Sequence, residues 1–156
     1  MDVRFARVVE RLHPSLERLV SMAPAGKGKL PRELPQQGVY LFSEGERHLY
    51  VGRSKNLRRR YGHHCNPGSQ QNQAVFAFRL ARETTGKIKP AYVPGEDSRV
   101  GLSTEPVFVT AFVHAKARIR GMEYRCVEET DPTRQALLEL YVAIVLECPY
   151  NDFNTS

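Results

Sequence analysis

The chain has little cysteine and no pairing pattern for what it has. Cys65, Cys126 and Cys148 are odd in number, widely spaced and without a CxxC pair. That speaks against a disulfide framework and suits a reducing compartment, so a cytoplasmic protein is expected. His63-His64-Cys65 invites a zinc reading, but no second ligand cluster at finger-like spacing accompanies it, and a structural zinc is not expected. Long apolar runs are missing too. The longest near-apolar stretch, Ala136 to Leu146, is too short to span a bilayer, and Met1-Asp2-Val3-Arg4 lacks the basic-then-apolar layout of a signal peptide. No membrane partner is expected. Internal repeats and low-complexity segments are absent.

What the chain does have is positive charge in one place. Its 156 residues suit one domain with a real core, too short for a catalytic domain plus a separate reader. The 23 Lys+Arg against 17 Asp+Glu give +6. Arg53, Lys55, Arg58, Arg59 and Arg60 fall within one stretch that carries no acid, and a polyanion is its natural partner. A solvated basic helix face is the plainer alternative.

Along the chain, Phe5, Val8, Val9, Leu12, Leu16, Leu19 and Val20 recur at helical spacing, with Pro14 as a kink or break. Residues 1–33 thus read as an amphipathic helical extension, packing on the domain or on a second subunit, followed by a basic linker around Lys27 and Lys29. Residues 34–156 form the main domain, with an inserted loop near 84–102. Two strands are expected over Gly38 to Phe42 and Leu49 to Gly52, joined by a turn centred on Gly45. That centre sets Tyr40 opposite Tyr50. Alternation then puts Val39, Leu41, Leu49 and Val51 on one face and the tyrosines on the other, where ordinary cross-strand packing would also account for them.

A helix from about Lys55 to His64 follows, with Ser54 as its N-cap, and Arg60 and His64 project from one face. Another runs from about Asn72 to Arg82. Pro106 to Val113 is ambiguous, but Phe108, Phe112, Ala115 and Ile119 keep helical spacing, Thr104 can cap, and Pro106 suits a first turn, so a helix is expected. Glu123 to Glu128 makes the third strand. Asp131-Pro132 opens a last helix that runs to about Glu147. Within Ala136 to Leu146 ten of eleven residues are apolar and the exception is Glu139. A carboxylate on so apolar a helix needs a cation or several donors. A divalent metal would serve, and so would an ion pair with an arginine.

Gly38-Val39-Tyr40 and Tyr50-Val51-Gly52 place their tyrosines ten residues apart around a polar turn, and Arg60 falls eight positions after Gly52. His64 lies four further on, and Asn151 lies twelve beyond Glu139. In these positions, from roughly Leu34 to Asn151, the chain resembles the GIY-YIG nuclease superfamily. The resemblance implies an α/β (α+β) fold, a small three-stranded antiparallel sheet flanked by helices. It also implies a metal-dependent endonuclease acting on DNA, with RNA not excluded by charge.

The resemblance further implies the roles. Glu139 holds Mg²⁺ or Mn²⁺, Arg60 binds the scissile phosphate, Tyr40 activates water, and Tyr50 completes the hydrogen-bond network. His64 accepts a proton from Tyr40 or contacts phosphate, and Asn151 orients a hydroxyl or backbone group, unless it merely caps the last helix. A phenol pKa of about 10 makes a phenolate at neutral pH cost about 4 kcal/mol, so either Tyr40 or His64 could be the base. Arg53, Lys55, Arg58 and Arg59 are expected on the nucleic-acid backbone. A homodimer would give two sites for two strands. The competing functions are a catalytically idle nucleic-acid-binding module and an assembly surface.

Overall fold

The computed structural model describes residues 1–86 and 105–153. In chain order the elements are α1 (Val3–Val9), α2 (Leu12–Ser21), β1 (Ala25–Gly26), β2 (Gly38–Glu44), β3 (Arg47–Ser54), α3 (Leu57–Cys65), α4 (Val75–Thr85), α5 (Pro106–Arg120), β4 (Glu123–Glu128) and α6 (Pro132–Val145). Two compact units emerge: residues 1–60 with 122–156, and residues 61–121. Among the described residues no helix is long and apolar enough to cross a membrane.

The first unit is a mixed α/β structure around an antiparallel sheet. The sheet has four strands, not three, in the order β1-β4-β2-β3. The extra strand is Ala25–Gly26, inside the expected linker, pairing with Tyr124 and Glu123 of β4. Two residues without strand propensity leave no alternation to read. Gly26 is required there, because its φ is 103° and a Cβ would fall 2.5 Å from the Met122 carbonyl oxygen.

The helical extension is two helices. The break comes at Glu10-Arg11, and Pro14 sits in the first turn of α2, where a missing N–H breaks no intrahelical bond. Leu12, Leu16 and Leu19 pack with Val39, Leu41, Val51, Val127, Leu138 and Val142 in one core. The apolar face of α2 is therefore used by its own chain. Burying side chains of this size stabilises by about 1.5–3 kcal/mol each before entropy is counted.

The β2–β3 register differs from expectation. Tyr40 lies opposite Gly52, and Tyr50 lies opposite Phe42. The turn contains two residues, Gly45-Glu46, since Glu44 pairs with Arg47, and Gly45 at φ 61° supplies its left-handed position. A bulge then leaves Leu49 as the extra residue between the Phe42–Tyr50 and Ser43–His48 pairs. Each change moves the partner of Tyr40 one residue along β3. The tyrosines still share a face, now as diagonal neighbours with ring centroids 6.4 Å apart.

Asp131 caps α6, its Oδ2 accepting from the Arg134 N–H at 2.8 Å, with Pro132 in the first turn. The helix stops at Val145, and Glu147 takes a positive φ of 51°. It is not buried on nearly all sides: Leu140, Ile144 and Val145 are exposed. Its buried face is carried by Leu138, Val142 and Ala143.

In the second unit α4 runs later than expected and ends at Gly86, whose φ of 77° makes the left-handed cap. Thr84 and Thr85 donate back to the Leu80 and Ala81 carbonyls and continue the helix, so they are not the start of a loop. The rest of the expected loop, and the expected cap Thr104, lie outside the described residues. Residues from Pro106 onward are helical, as their spacing indicated, and Phe78 of α4 meets Phe108 of α5 at 4.9 Å. Lys116 is buried yet satisfied, its Nζ donating to the Pro67 and Ser69 carbonyls at 2.6 and 2.8 Å and lying 4.5 Å from the Phe112 ring centre.

Candidate active site

One face of the sheet in the first unit is aromatic. Tyr40, Phe42, Tyr50 and Tyr124 are all buried, because alternation that sends Val39, Leu41 and Val51 to the aliphatic core sends these to the other side. Tyr40 stacks on Tyr124 at 6.0 Å and meets Phe42 edge-on at 5.8 Å. Its phenol crosses the backbone of β3 at Gly52, where a Cβ would fall 2.3 Å from the hydroxyl oxygen. Gly52 is thus needed for space. A glycine inside a strand signals such an approach, although it does not say what approaches.

Arg60, in the opening turns of α3, brings a guanidinium to this face. Its Nε donates to the Tyr40 hydroxyl at 3.3 Å, and it also hydrogen-bonds with Tyr50. The start of α3 is two residues later than expected. Leu57 N–H donates to the Gln36 carbonyl and Arg59 N–H to the Asn56 side chain, so Asn56 caps in place of Ser54. Ser54 instead accepts from the Asn56 N–H.

Burial pushes the Tyr40 phenol far above its ordinary range, and the neighbouring Tyr50 and Glu139 add to that rise. Arg60 opposes both and does not overcome them. The phenol is therefore neutral at rest, a donor and acceptor rather than a standing base. Burial also raises the Glu139 carboxyl, while Arg53 and then Arg60 pull it back.

Glu139 reaches the sheet from α6, on the side of Arg53. Arg53 Nε donates to Glu139 Oε2 at 2.9 Å, with 46% of the arginine and 20% of the glutamate side chain exposed. Arg53 is thus one cation that answers this carboxylate. Among the described residues no group of three or more His, Cys, Asp or Glu side chains is placed to hold a metal ion. What Glu139 offers is one carboxylate whose Oε1 has no hydrogen-bond partner among the described residues. That donor set fits a largely hydrated divalent ion completed by phosphate oxygens, not a protein cage.

Asn151 lies beyond α6 against the edge strand β3. Its Oδ1 accepts from the Val51 N–H at 2.9 Å and its Nδ2 donates to the Val51 carbonyl at 2.7 Å, as a paired strand residue would. Tyr150 N–H adds a bond to the Leu49 carbonyl. Asn151 therefore holds the backbone between Tyr50 and Gly52 and does not cap α6. Replacing it with alanine leaves Val51 without either bond, and Asn151→Ala is expected to cost about 1–3 kcal/mol in urea unfolding. A loss within error would show that the edge needs no clasp.

The basic residues divide. Lys55 and Arg59 are exposed. Arg58 donates to the Pro31 and Arg32 carbonyls at 2.6 and 3.3 Å, so its guanidinium fastens the segment before β2. Arg53 is committed to Glu139. His64 belongs to the second unit and is fully buried. Cys65, Cys126 and Cys148 are free and buried, and burial pushes the Cys126 and Cys148 thiols up to about 11 and about 12.

Tyr40, Tyr50 and Arg60 form a hydrogen-bonded cluster, Glu139 lies within electrostatic reach of it, and Asn151 braces the strand beneath. The Arg53 ion pair, the Gly52 approach and the clasp at Val51 link positions remote in sequence and give no local signal. No known protein family, curated protein or solved structure matches the chain.

Proposed function

We propose that this chain is a metal-dependent endonuclease of GIY-YIG type that hydrolyses phosphodiester bonds in DNA. The observation that carries the reading is the guanidinium of Arg60 hydrogen-bonded to Tyr40 and Tyr50. Two phenol oxygens position the guanidinium at the aromatic face of the sheet, and the Glu139 carboxylate lies within reach of its charge. An incoming phosphate would gain bonds from Arg60 that strengthen as negative charge grows on its oxygens.

Tyr40 starts neutral, so its hydroxyl accepts a hydrogen bond from the attacking water and orients it, while the proton that the water sheds passes to a phosphate oxygen or to solvent. Tyr50 keeps the guanidinium and the Tyr40 hydroxyl aligned. Glu139 would hold Mg²⁺ or Mn²⁺, and the ion would supply Lewis-acid polarisation of the phosphate. Lys55 and Arg59 would follow the backbone of the nucleic acid without reading its sequence. His64 has no part in this scheme.

One observation favours an idle nucleic-acid-binding module instead: the carboxylate is already neutralised by Arg53. Incubating the purified chain with supercoiled, branched and single-stranded DNA and with RNA, with and without Mg²⁺, separates the readings. Mg²⁺-dependent cleavage of DNA is expected. Tight binding with no cleavage of any substrate would establish the idle module, and cleavage of RNA alone would move the activity to the other polymer.

A further inference from the structure

The contact between Arg53 and Glu139 is unusual for an arginine–carboxylate pair in being single. One bond joins Nε to Oε2, and among the described residues the terminal nitrogens of Arg53 and the second oxygen of Glu139 make no hydrogen bond. A two-bond fork, the stronger arrangement, is not used. The arginine side chain is about half exposed, so it has solvent to move into. The backbone beneath it is fixed. Arg53 pairs with Val39 in the sheet, and the neighbouring Val51 is clasped at both N–H and carbonyl by Asn151. Motion is thereby confined to the side chain.

We propose that Arg53 is an exchangeable counter-cation for Glu139, resting on the carboxylate in the absence of a divalent ion and leaving it for a phosphate oxygen when one binds. The proposal rests on the reading of Glu139 as the metal-holding residue. A divalent ion and a guanidinium on one carboxylate repel each other, so each weakens the other's hold on Glu139. No bond is made or broken in the exchange beyond the ion pair and its replacement.

Two properties follow for this chain. Divalent ions bind weakly without nucleic acid, because the Arg53 charge on the same carboxylate opposes them. A phosphate backbone, by accepting Arg53, tightens ion binding, and by reciprocity the ion tightens nucleic-acid binding. Arg53 is a positioning residue on this account, and it joins Lys55 and Arg59 on the backbone only in the loaded state.

The test is a calorimetric Mn²⁺ titration of the full chain without nucleic acid, comparing wild type, Arg53→Gln and Glu139→Gln, with circular dichroism as the check on folding. Removal of the competing charge is expected to make Arg53→Gln bind Mn²⁺ about tenfold tighter than wild type. Equal or weaker binding by the folded Arg53→Gln variant overturns the exchange and leaves Glu139 as a ligand. Wild-type affinity in Glu139→Gln removes the metal site itself, and with it both the exchange and the metal step of the nuclease reading. Should Arg53→Gln fail to fold, the Arg53 Nε–H resonance of the unaltered chain decides. Loss of its exchange protection on adding Mg²⁺ is expected, and an unchanged resonance at saturating Mg²⁺ overturns the proposal.

Discussion

Glu139→Gln is expected to lower Mg²⁺-dependent cleavage by roughly a thousandfold or more, the several kcal/mol that a metal contributes to charge stabilisation at phosphate. Glutamine keeps the shape of the side chain and removes the charge that holds the ion. The fold should survive, because the ion pair being lost is a single bond whose arginine side chain is 46% exposed, against 20% for the glutamate, and a pair so open to solvent on one side is worth about 1 kcal/mol. Nucleic-acid binding measured without divalent ion should be unchanged or slightly stronger, since Arg53 is released. Single-turnover cleavage read beside fluorescence anisotropy separates the two effects. Undiminished turnover in the folded variant would remove Glu139 from the mechanism.

Arg60→Ala is expected to reduce the cleavage rate by about 10²–10³-fold, the usual loss when a preorganised donor at a developing charge is removed. The substitution also takes the Nε donor from the Tyr40 hydroxyl, so the water-orienting phenol loses its alignment at the same time. Arg59, one residue earlier and exposed, provides the contrast. Arg59→Ala should leave the rate at saturating substrate nearly intact, weaken binding uniformly across sequences, and flatten the salt dependence by about one phosphate contact. Arg58→Ala should behave differently again, acting through the loosened Pro31 and Arg32 carbonyls. Identical rate and salt profiles for Arg59→Ala and Arg60→Ala would dismiss the special place given to Arg60.

The elements that were legible in the sequence share a local cause. Glu123–Glu128 and the start of α6 at Pro132 are marked by alternation and by an Asp-Pro cap, which neighbouring residues settle among themselves. The separation of Val39, Leu41 and Val51 from Tyr40 and Tyr50 onto opposite faces is similarly local, a consequence of period two along a strand. The ambiguous segment from Pro106 fell to helix because its apolar residues recur at three and four, a repeat no strand can bury on one side.

By itself, then, the sequence determined that a hairpin, the strand Glu123–Glu128 and the helices after Pro106 and Pro132 exist, which tyrosines share a face, and that one acid stands alone on α6, but neither the strand Ala25–Gly26 nor the exact bounds of α3 and α4. Only the tertiary structure decided what those residues meet. The two-residue turn and the bulge at Leu49 set Tyr40 over Gly52, a choice between registers that the strand residues alone leave open because either one buries the same aliphatic face. Arg53 rather than another arginine reaches Glu139, and Asn151 closes on Val51, because α6 packs on the sheet through Leu138 and Val142. These contacts join residues 86 and 100 positions apart. Their energies depend on distances that exist only after the core has closed, so no local pattern could carry them.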